Sequence, residues 1–245
     1  MAPKTPQHIS RDLGPKISGR VLSDHVSRYI YATDASIFRI MPAAVVEPKD
    51  EEDVRTVMFY ARENRIPIAA RGAGSGLAGE ALTSGIVLDF SVHMRRILKF
   101  DAASACVHLQ PGVVWAQLNR ELNPFGRIFG PDPSTGNRCT LGGMIANNSA
   151  GAHSLQYGMT SRWVKSLRVM LDDGQIVVLR RIDLDSPAGC ALLAASGREG
   201  EIYRTLVPLL EKNATLIEST WPRAPRNRHG YLLKYVLQER QINLA

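Results

Sequence analysis

The chain has 245 residues, 44% of them hydrophobic, with a mean hydropathy of −0.12 and a net charge of +7. That balance fits a soluble globular protein with core enough for one large domain or two small ones. The longest apolar runs, such as Ala191-Leu192-Leu193-Ala194-Ala195, are far too short to cross a bilayer. The N-terminal stretch has no apolar h-region, so no secretory signal is read, and a cytoplasmic or membrane-peripheral location is expected. Cys106, Cys139 and Cys190 lie far apart with no Cys-x-x-Cys, which argues against a disulfide scaffold and against an iron–sulfur or zinc site. The basic residues are scattered. The densest group, Arg223, Arg226, Arg228 and His229, is interleaved with prolines rather than aromatics and reads as a solvated loop, so no nucleic-acid partner is expected.

Residues 1–40 read as a leader with some helix. Ala43–Glu47 (AAVVE) reads as a short buried strand ended by Pro48. Lys49–Asp53 opens a helix with acidic residues, which suits the positive end of the helix dipole. Val54, Val57, Met58 and Ala61 follow at helical spacing, and Asn64 closes the element. Ile66–Ala70 is a second strand that runs straight into Arg71-Gly72-Ala73-Gly74-Ser75-Gly76-Leu77-Ala78-Gly79. Glycine brings backbone N–H groups close to a ligand, and successive N–H groups form a nest for anions. Gly74–Gly79 matches G-x-G-x-x-G, but only Glu80–Ser84 separates it from the next strand, Gly85–Phe90. The long helix of a Rossmann unit has no room, and no Lys-Ser or Lys-Thr follows as a P-loop needs. A glycine-rich turn with no ligand stays open at this point.

Ile97–Phe100 and Cys106–Gln110 read as a strand pair. Pro111-Gly112 breaks the chain before a helix, Val114–Leu122, and Phe129–Leu141 reads as irregular. A second loop, Thr140–Gly151, begins at a helix start whose exposed N–H groups suit a phosphate or a flavin carbonyl; Asn147 and Asn148 add amide donors and acceptors. Two such loops suggest a ligand with two phosphates or an extended nucleotide. Val164–Leu171 and Ile176–Leu179 flank Asp172-Asp173-Gly174, a hairpin signal. Beyond Arg181, Ser186–Ala195 and Glu199–Leu210 read as helices, and few strands are expected.

Taken in order, Val-Val-Glu-Pro, Pro67–Gly79, Val107–Gly112, Pro131-Asp132-Pro133-Ser134, Leu141–Asn148 and Tyr157-Gly158 resemble the PCMH-type FAD-binding domain of the vanillyl-alcohol oxidase superfamily. Within it the chain is most similar to the glycolate oxidase, D-lactate dehydrogenase and D-2-hydroxyglutarate dehydrogenase branch. Gly197–Tyr203 and Trp221–Arg226 resemble large members fused to an iron–sulfur region. The resemblance implies an α+β fold: an N-terminal segment 1–40, then two α/β subdomains (41–110 and 111–181) with FAD between them, and a helical extension (182–245). It implies that Arg71, Gly72, Ala73, Gly74, Ser75, Gly76 and Gly79 hold the pyrophosphate. Pro131, Asp132, Ser134, Thr140, Gly142, Gly143, Asn147 and Asn148 would line the pyrophosphate, ribityl and isoalloxazine regions, with Gly151 and Tyr157 also on the cofactor. Ser75 stands where some members carry a histidine bonded to flavin, so the FAD is expected to be non-covalent. Asp34 and Ser36 resemble an Asp-x-Ser element near the flavin, with a helix-capping pair as the alternative. Arg71 is the candidate for a positive charge near flavin N1 or N5, and His153 is a candidate flavin neighbour.

The chain ends about where the family's next strand would follow, so the completing strand and the substrate-binding cap are expected to be missing. A C-terminal partner region or chain would supply them. The substrate expected is a small D-2-hydroxy acid, with the electron acceptor left open. His8, His25, His93, His108, His153 and His229 show no close metal-ligand pair, so neither a metal nor a catalytic residue is assigned.

Overall fold

The computed structural model describes residues 4–223 and 231–245. Of the basic group noted above, Arg226, Arg228 and His229 lie outside the described residues. The chain divides into two compact units, Met1–Arg162 with Asp172–Gly174, and Trp163–Leu171 with Gln175–Ala245.

The first unit opens with α1 (Pro6–Leu13), β1 (Arg20–Leu22) and α2 (His25–Ile30), followed by β2 (Ala44–Glu47), α3 (Glu51–Asn64), β3 (Ile68–Arg71) and β4 (Ile86–Asp89). The sheet order is β1-β2-β4-β3; β2, β4 and β3 run parallel and β1 pairs antiparallel with β2. Strands β2 and β4 are buried along their whole length, as central strands covered on both faces should be. α3 starts where Asp50 accepts from the N–H groups of Glu52 and Asp53. It buries Val54, Val57 and Ala61 on the apolar stripe, with Met58 half-buried, and ends at Arg65 in the left-handed region.

β1 was not legible in the leader. It is three residues long and is placed by tertiary contacts. Asp53, only 3% exposed, accepts from the N–H groups of Ser18 (2.8 Å), Gly19 (2.9 Å) and Lys49 (2.8 Å). Arg20 pairs with buried Glu47 at 2.6 Å.

The segment 72–85, with no helix in it, connects parallel neighbours β3 and β4. Parallel strands need a long crossover, usually helical. Here glycine-rich backbone makes the crossing, which is why the Rossmann spacing fails.

β5 (Ile97–Asp101) and β6 (Cys106–Leu109) form an antiparallel pair with a bulge between Ile97 and Lys99. Then come α4 (Trp115–Leu122), α5 (Leu141–Ala146) and the single turn α6 (Ser154–Tyr157). Val113, Leu118, Leu122, Cys139, Leu141 and Met144 form a core against which Phe100, Val107 and Trp115 pack.

In the second unit β7 (Ser166–Met170) and β8 (Ile176–Asp183) form the expected hairpin, with Gly174 of the turn at φ +77°. α7 (Pro187–Ala194), α8 (Arg198–Lys212), α9 (Ala214–Thr220) and α10 (Leu233–Val236) follow. The region past Arg181 is not purely helical. β9 (Leu237–Gln238) and β10 (Gln241–Asn243) close a sheet of order β7-β8-β10-β9. Ile242 from β10 joins Leu184, Tyr203 and Val207 in the buried core of this unit. The architecture is α+β.

Candidate functional site

Arg71 ends β3 and its carbonyl accepts from Phe90 N–H at 3.0 Å, which locks the strand end just before the glycines. The loop then turns through Gly74 at φ +62° and Gly79 at φ +82°, conformations that favour glycine. Among the described residues, the N–H groups of Ala73, Gly74, Ser75 and Gly76 donate to no acceptor in the chain. Backbone donors are rarely left unsatisfied away from solvent. Ala73 is exposed and Gly74–Gly76 half-buried, so solvent reaches this turn, and its successive free N–H groups are those an anion nest would use.

Charge sits directly behind it. A Cβ on Gly74 would lie 2.6 Å from Arg71 Nη2, so the guanidinium lines the inner wall of the turn. Arg71 is held there by donation to the carbonyls of Thr33 (2.9 Å) and Tyr31 (3.4 Å), and it stacks 5.2 Å from the Tyr31 ring centroid. The guanidinium is therefore committed to the nest and the 31–33 backbone.

Tyr31 is itself anchored. Its hydroxyl donates to Asp89 at 2.6 Å, and Ser91 donates to the other carboxylate oxygen through both N–H and hydroxyl. Burial, and then the Asp89 bond, push the Tyr31 phenol well above its usual pKa. Ala35 N–H donates to the Gly74 carbonyl at 3.0 Å, which draws the Asp34 turn onto the nest. Asp34 and Ser36 cap no helix. Asp34 Oδ1 accepts from Ser36 N–H and Ser36 Oγ accepts from Phe38 N–H, two successive side-chain turns. Asp34 Oδ2 is a buried oxygen with no hydrogen-bond partner among the described residues.

The two glycine loops meet. A Cβ on Gly72 would collide with the Thr140 hydroxyl, and Thr140 is the N-cap of α5. The expectation of exposed N–H groups at that helix start does not hold. Leu141 N–H donates to Val113 O and Gly142 N–H to Pro111 O, both at 2.8 Å, while Gly143 N–H bonds the Thr140 hydroxyl. Gly142 has a packing reason instead, because a Cβ would press on Pro111. The asparagines are also engaged. Asn147 Nδ2 donates to Gly143 O; Asn148, at φ +45°, accepts from Ser161 N–H and donates to Met159 Sδ. The donors at the start of α5 are therefore used within the chain, unlike those of the first loop, a distinction that residue types alone do not reveal.

A second cluster joins Pro131–Ser134 to Gly151–Tyr157. A Cβ on Gly151 would strike the Asp132 carbonyl, and one on Gly130 would lie 2.5 Å from the Tyr157 ring. Asp132 accepts from His153 N–H at 3.1 Å and contacts His153 Nδ1 at 2.5 Å. Pro131 is buried and Ser134 exposed. Burial opposes the charged form of Asp132, but the His153 bonds outweigh it and hold the carboxyl below the usual carboxylate range. A folded-state pKa below the unfolded one means the link is fully present above the ordinary value of 3.8 and is lost as pH falls through the lower folded value. Protection of the His153 amide from hydrogen exchange is expected to persist at neutral pH and to vanish in acid below that range. In Asp132→Ala it is expected to be absent throughout; equal protection in the two proteins would contradict the link.

The donor and acceptor set fits a nucleotide cofactor: four unused N–H groups and a guanidinium for phosphate, and the buried, unpartnered Asp34 Oδ2 for a hydroxyl or N–H donor. Ile37 and Leu77 stand 94% and 78% exposed around the same loop, apolar surface suited to a ring system. Among the described residues no group of three or more His, Cys, Asp or Glu side chains is placed to hold a metal ion, and no helix is long and apolar enough to cross a membrane.

Comparison with known proteins agrees with this geometry. The model of the family described as FAD binding domain matches residues 42–180. D-2-hydroxyglutarate dehydrogenase of Pseudomonas putida is 39% identical over 224 residues, 90% of this chain and 22% of that protein. A glycolate oxidase subunit of Bacillus subtilis is 35% identical over 78% of this chain and 42% of its own. D-lactate dehydrogenase of Anaerostipes hadrus is 31% identical over 81% of this chain and 42% of its own. Among solved structures, an alkyldihydroxyacetonephosphate synthase superposes with a TM-score of 0.63 at 23% identity, covering 73% of this chain and 35% of that one. 6-Hydroxy-D-nicotine oxidase from Arthrobacter nicotinovorans superposes with a TM-score of 0.61, again at 23% identity, covering 70% and 37%. At that identity the likeness shows the fold alone. The chain spans about a fifth of the length of the D-2-hydroxyglutarate dehydrogenases it matches. With more than half of its residues inside the family model, this chain belongs to the FAD binding domain family.

Proposed function

We propose that the chain is the FAD-binding part of a flavin-dependent dehydrogenase acting on a D-2-hydroxy acid of the D-lactate, glycolate or D-2-hydroxyglutarate type. The observation that carries this reading is the nest of unused N–H groups at Ala73–Gly76 backed by the Arg71 guanidinium. Its setting is a chain whose similar relatives include dehydrogenases of these acids.

When bound, FAD supplies the acceptor for the hydride of the substrate α-carbon. The chain's own residues hold and shield it. Ala73–Gly76 give amide hydrogen bonds to the pyrophosphate, and Gly72 and Gly79 keep the loop backbone close. Arg71 offsets phosphate charge from behind the turn. Asp34 Oδ2 accepts from a cofactor hydroxyl or N–H. Pro131, Asp132, Ser134, Gly151 and Tyr157 form a second wall, with His153 on it. Thr140, Gly142, Gly143, Asn147 and Asn148 act by shaping the loops, since their polar groups are largely spent within the chain. Ser75 leaves the flavin non-covalent. No residue of this chain is assigned as the substrate base.

A second reading is favoured by the share of its relatives that the chain spans: a flavin-binding module that turns over only with a partner region. A visible spectrum of the purified chain, repeated on the supernatant after acid precipitation, tests the cofactor. A flavin spectrum released into the supernatant is expected. Colour kept in the pellet would mean covalent attachment, and no colour after added FAD would overturn the reading. Turnover of D-lactate, glycolate or D-2-hydroxyglutarate with an artificial electron acceptor separates the enzyme from the module.

A further inference from the structure

One charged side chain sits where an anion-binding loop would not be expected to hold it. Glu80 folds back along the turn that precedes it. Its Oε2 accepts from Ala78 N–H at 3.2 Å, and a Cβ on Gly76 would run into the same carboxylate, with Oε1 at 3.2 Å. Only the missing side chain of Gly76 makes room for it. Glu80 is exposed and, among the described residues, forms no ion pair. It is therefore not drawn there by a basic partner, although the chain carries a net charge of +7. What holds it is the Ala78 N–H, two residues past the Gly76 end of the run of unused N–H groups.

We propose that Glu80 is a resident anion of the glycine loop: its carboxylate rests on the Ala78 N–H beside the Gly76 end of the nest, and it swings out as the cofactor's pyrophosphate enters. The inference rests on the FAD-binding reading of this loop and adds a control on its occupancy. Two like charges a few ångströms apart repel strongly in a partly desolvated site and weakly in bulk water. A carboxylate left at Gly76 would oppose an incoming phosphate, so loading requires its displacement. Release costs one amide hydrogen bond, and the departing side chain enters solvent, where its charge is hydrated. The loop thus discriminates against simple anions, which offer no further contacts to offset the displacement.

The test compares the full chain, stripped of flavin, with Glu80→Gln and Glu80→Ala, titrating inorganic pyrophosphate and FAD by calorimetry. Both substitutions are at an exposed loop position, and a thermal melt checks that the fold is unchanged. Removing the charge is expected to tighten pyrophosphate binding about three- to tenfold at low salt. The gain is expected to shrink at 1 M salt, because exposed charges are then screened within about 3 Å. FAD is expected to tighten in the same direction by a smaller factor, since its diesterified pyrophosphate carries less negative charge than inorganic pyrophosphate.

Unchanged or weaker pyrophosphate binding by Glu80→Gln would overturn the inference, as would a gain that salt does not reduce. FAD binding to the original chain with no gain in either variant would overturn it while leaving the FAD reading in place. Tighter pyrophosphate with no FAD binding by any form would support the resident anion and overturn the FAD reading. No binding of either ligand by any form would overturn both.

Discussion

Gly74→Val is expected to lower FAD affinity by on the order of a hundredfold while leaving the chain folded. The backbone at Gly74 has φ +62°, which costs an L residue roughly 1–2 kcal/mol and a β-branched one more. Its new side chain would also start 2.6 Å from the Arg71 guanidinium. Either the turn relaxes and the N–H groups of Ala73–Gly76 shift, or Arg71 leaves the carbonyls of Tyr31 and Thr33. Each charge-assisted hydrogen bond lost costs about 1.5–3 kcal/mol, and each 1.4 kcal/mol is about tenfold in affinity. The control is Gly126→Ala. Gly126 has nearly the same φ, +64°, but open space where its Cβ would go. That variant is expected to lose about 1 kcal/mol of stability from strain and to bind FAD as before. Flavin fluorescence titration of the two variants separates strain at a glycine from damage to the nest. Equal affinity in Gly74→Val and the original chain would remove the loop from the cofactor site.

The largest stability effect is expected at the start of α3, at Asp53→Ala. This carboxylate is almost fully buried at the first turn of α3 and receives three backbone N–H groups, two from the segment that leads into β1 and one from Lys49. Truncation leaves all three donors without their acceptor in a site that water reaches poorly. Hydrogen bonds to charged groups are worth about 1.5–3 kcal/mol each, and orphaned donors add their desolvation cost, so a loss on the order of 3–5 kcal/mol is expected. Folded domains hold only about 5–15 kcal/mol in total, so the urea midpoint should fall steeply. Asp53→Asn keeps one acceptor oxygen and is expected to lose less. A midpoint shift within error for Asp53→Ala would mean that β1 and the 18–19 backbone are held by something other than this carboxylate.

Residue order alone determined a good deal here. The apolar strand Ala44–Glu47, the acidic start and helical stripe of α3, the hairpin at Asp172–Gly174 and the helix after Pro111-Gly112 rest on local periodicity, capping and turn chemistry, which act over a few residues. The short spacing between the first glycine loop and β4 was enough to exclude a Rossmann helix. The ordered loop motifs carried the family, and the match over residues 42–180 agrees.

Tertiary structure decided what local rules do not reach. β1, β9 and β10 are two or three residues long, too short for any period, and exist because β2 and β8 offer open edges to pair with. β4 comes to lie between β2 and β3, although it follows both in the chain. The surroundings of the candidate site residues were decided in the same way. Gly142, Gly143 and Asn148 look like ligand donors by type, but the local N-cap Thr140 and, close only in the fold, Pro111, Met159 and Ser161 use up their polar groups or the space beside them. The N–H groups of Ala73–Gly76 find no acceptor among the described residues, and Arg71 lies against the turn at Gly74. A donor's availability depends on what the rest of the chain brings within about 3 Å of it, and that distance is a property of the packed fold.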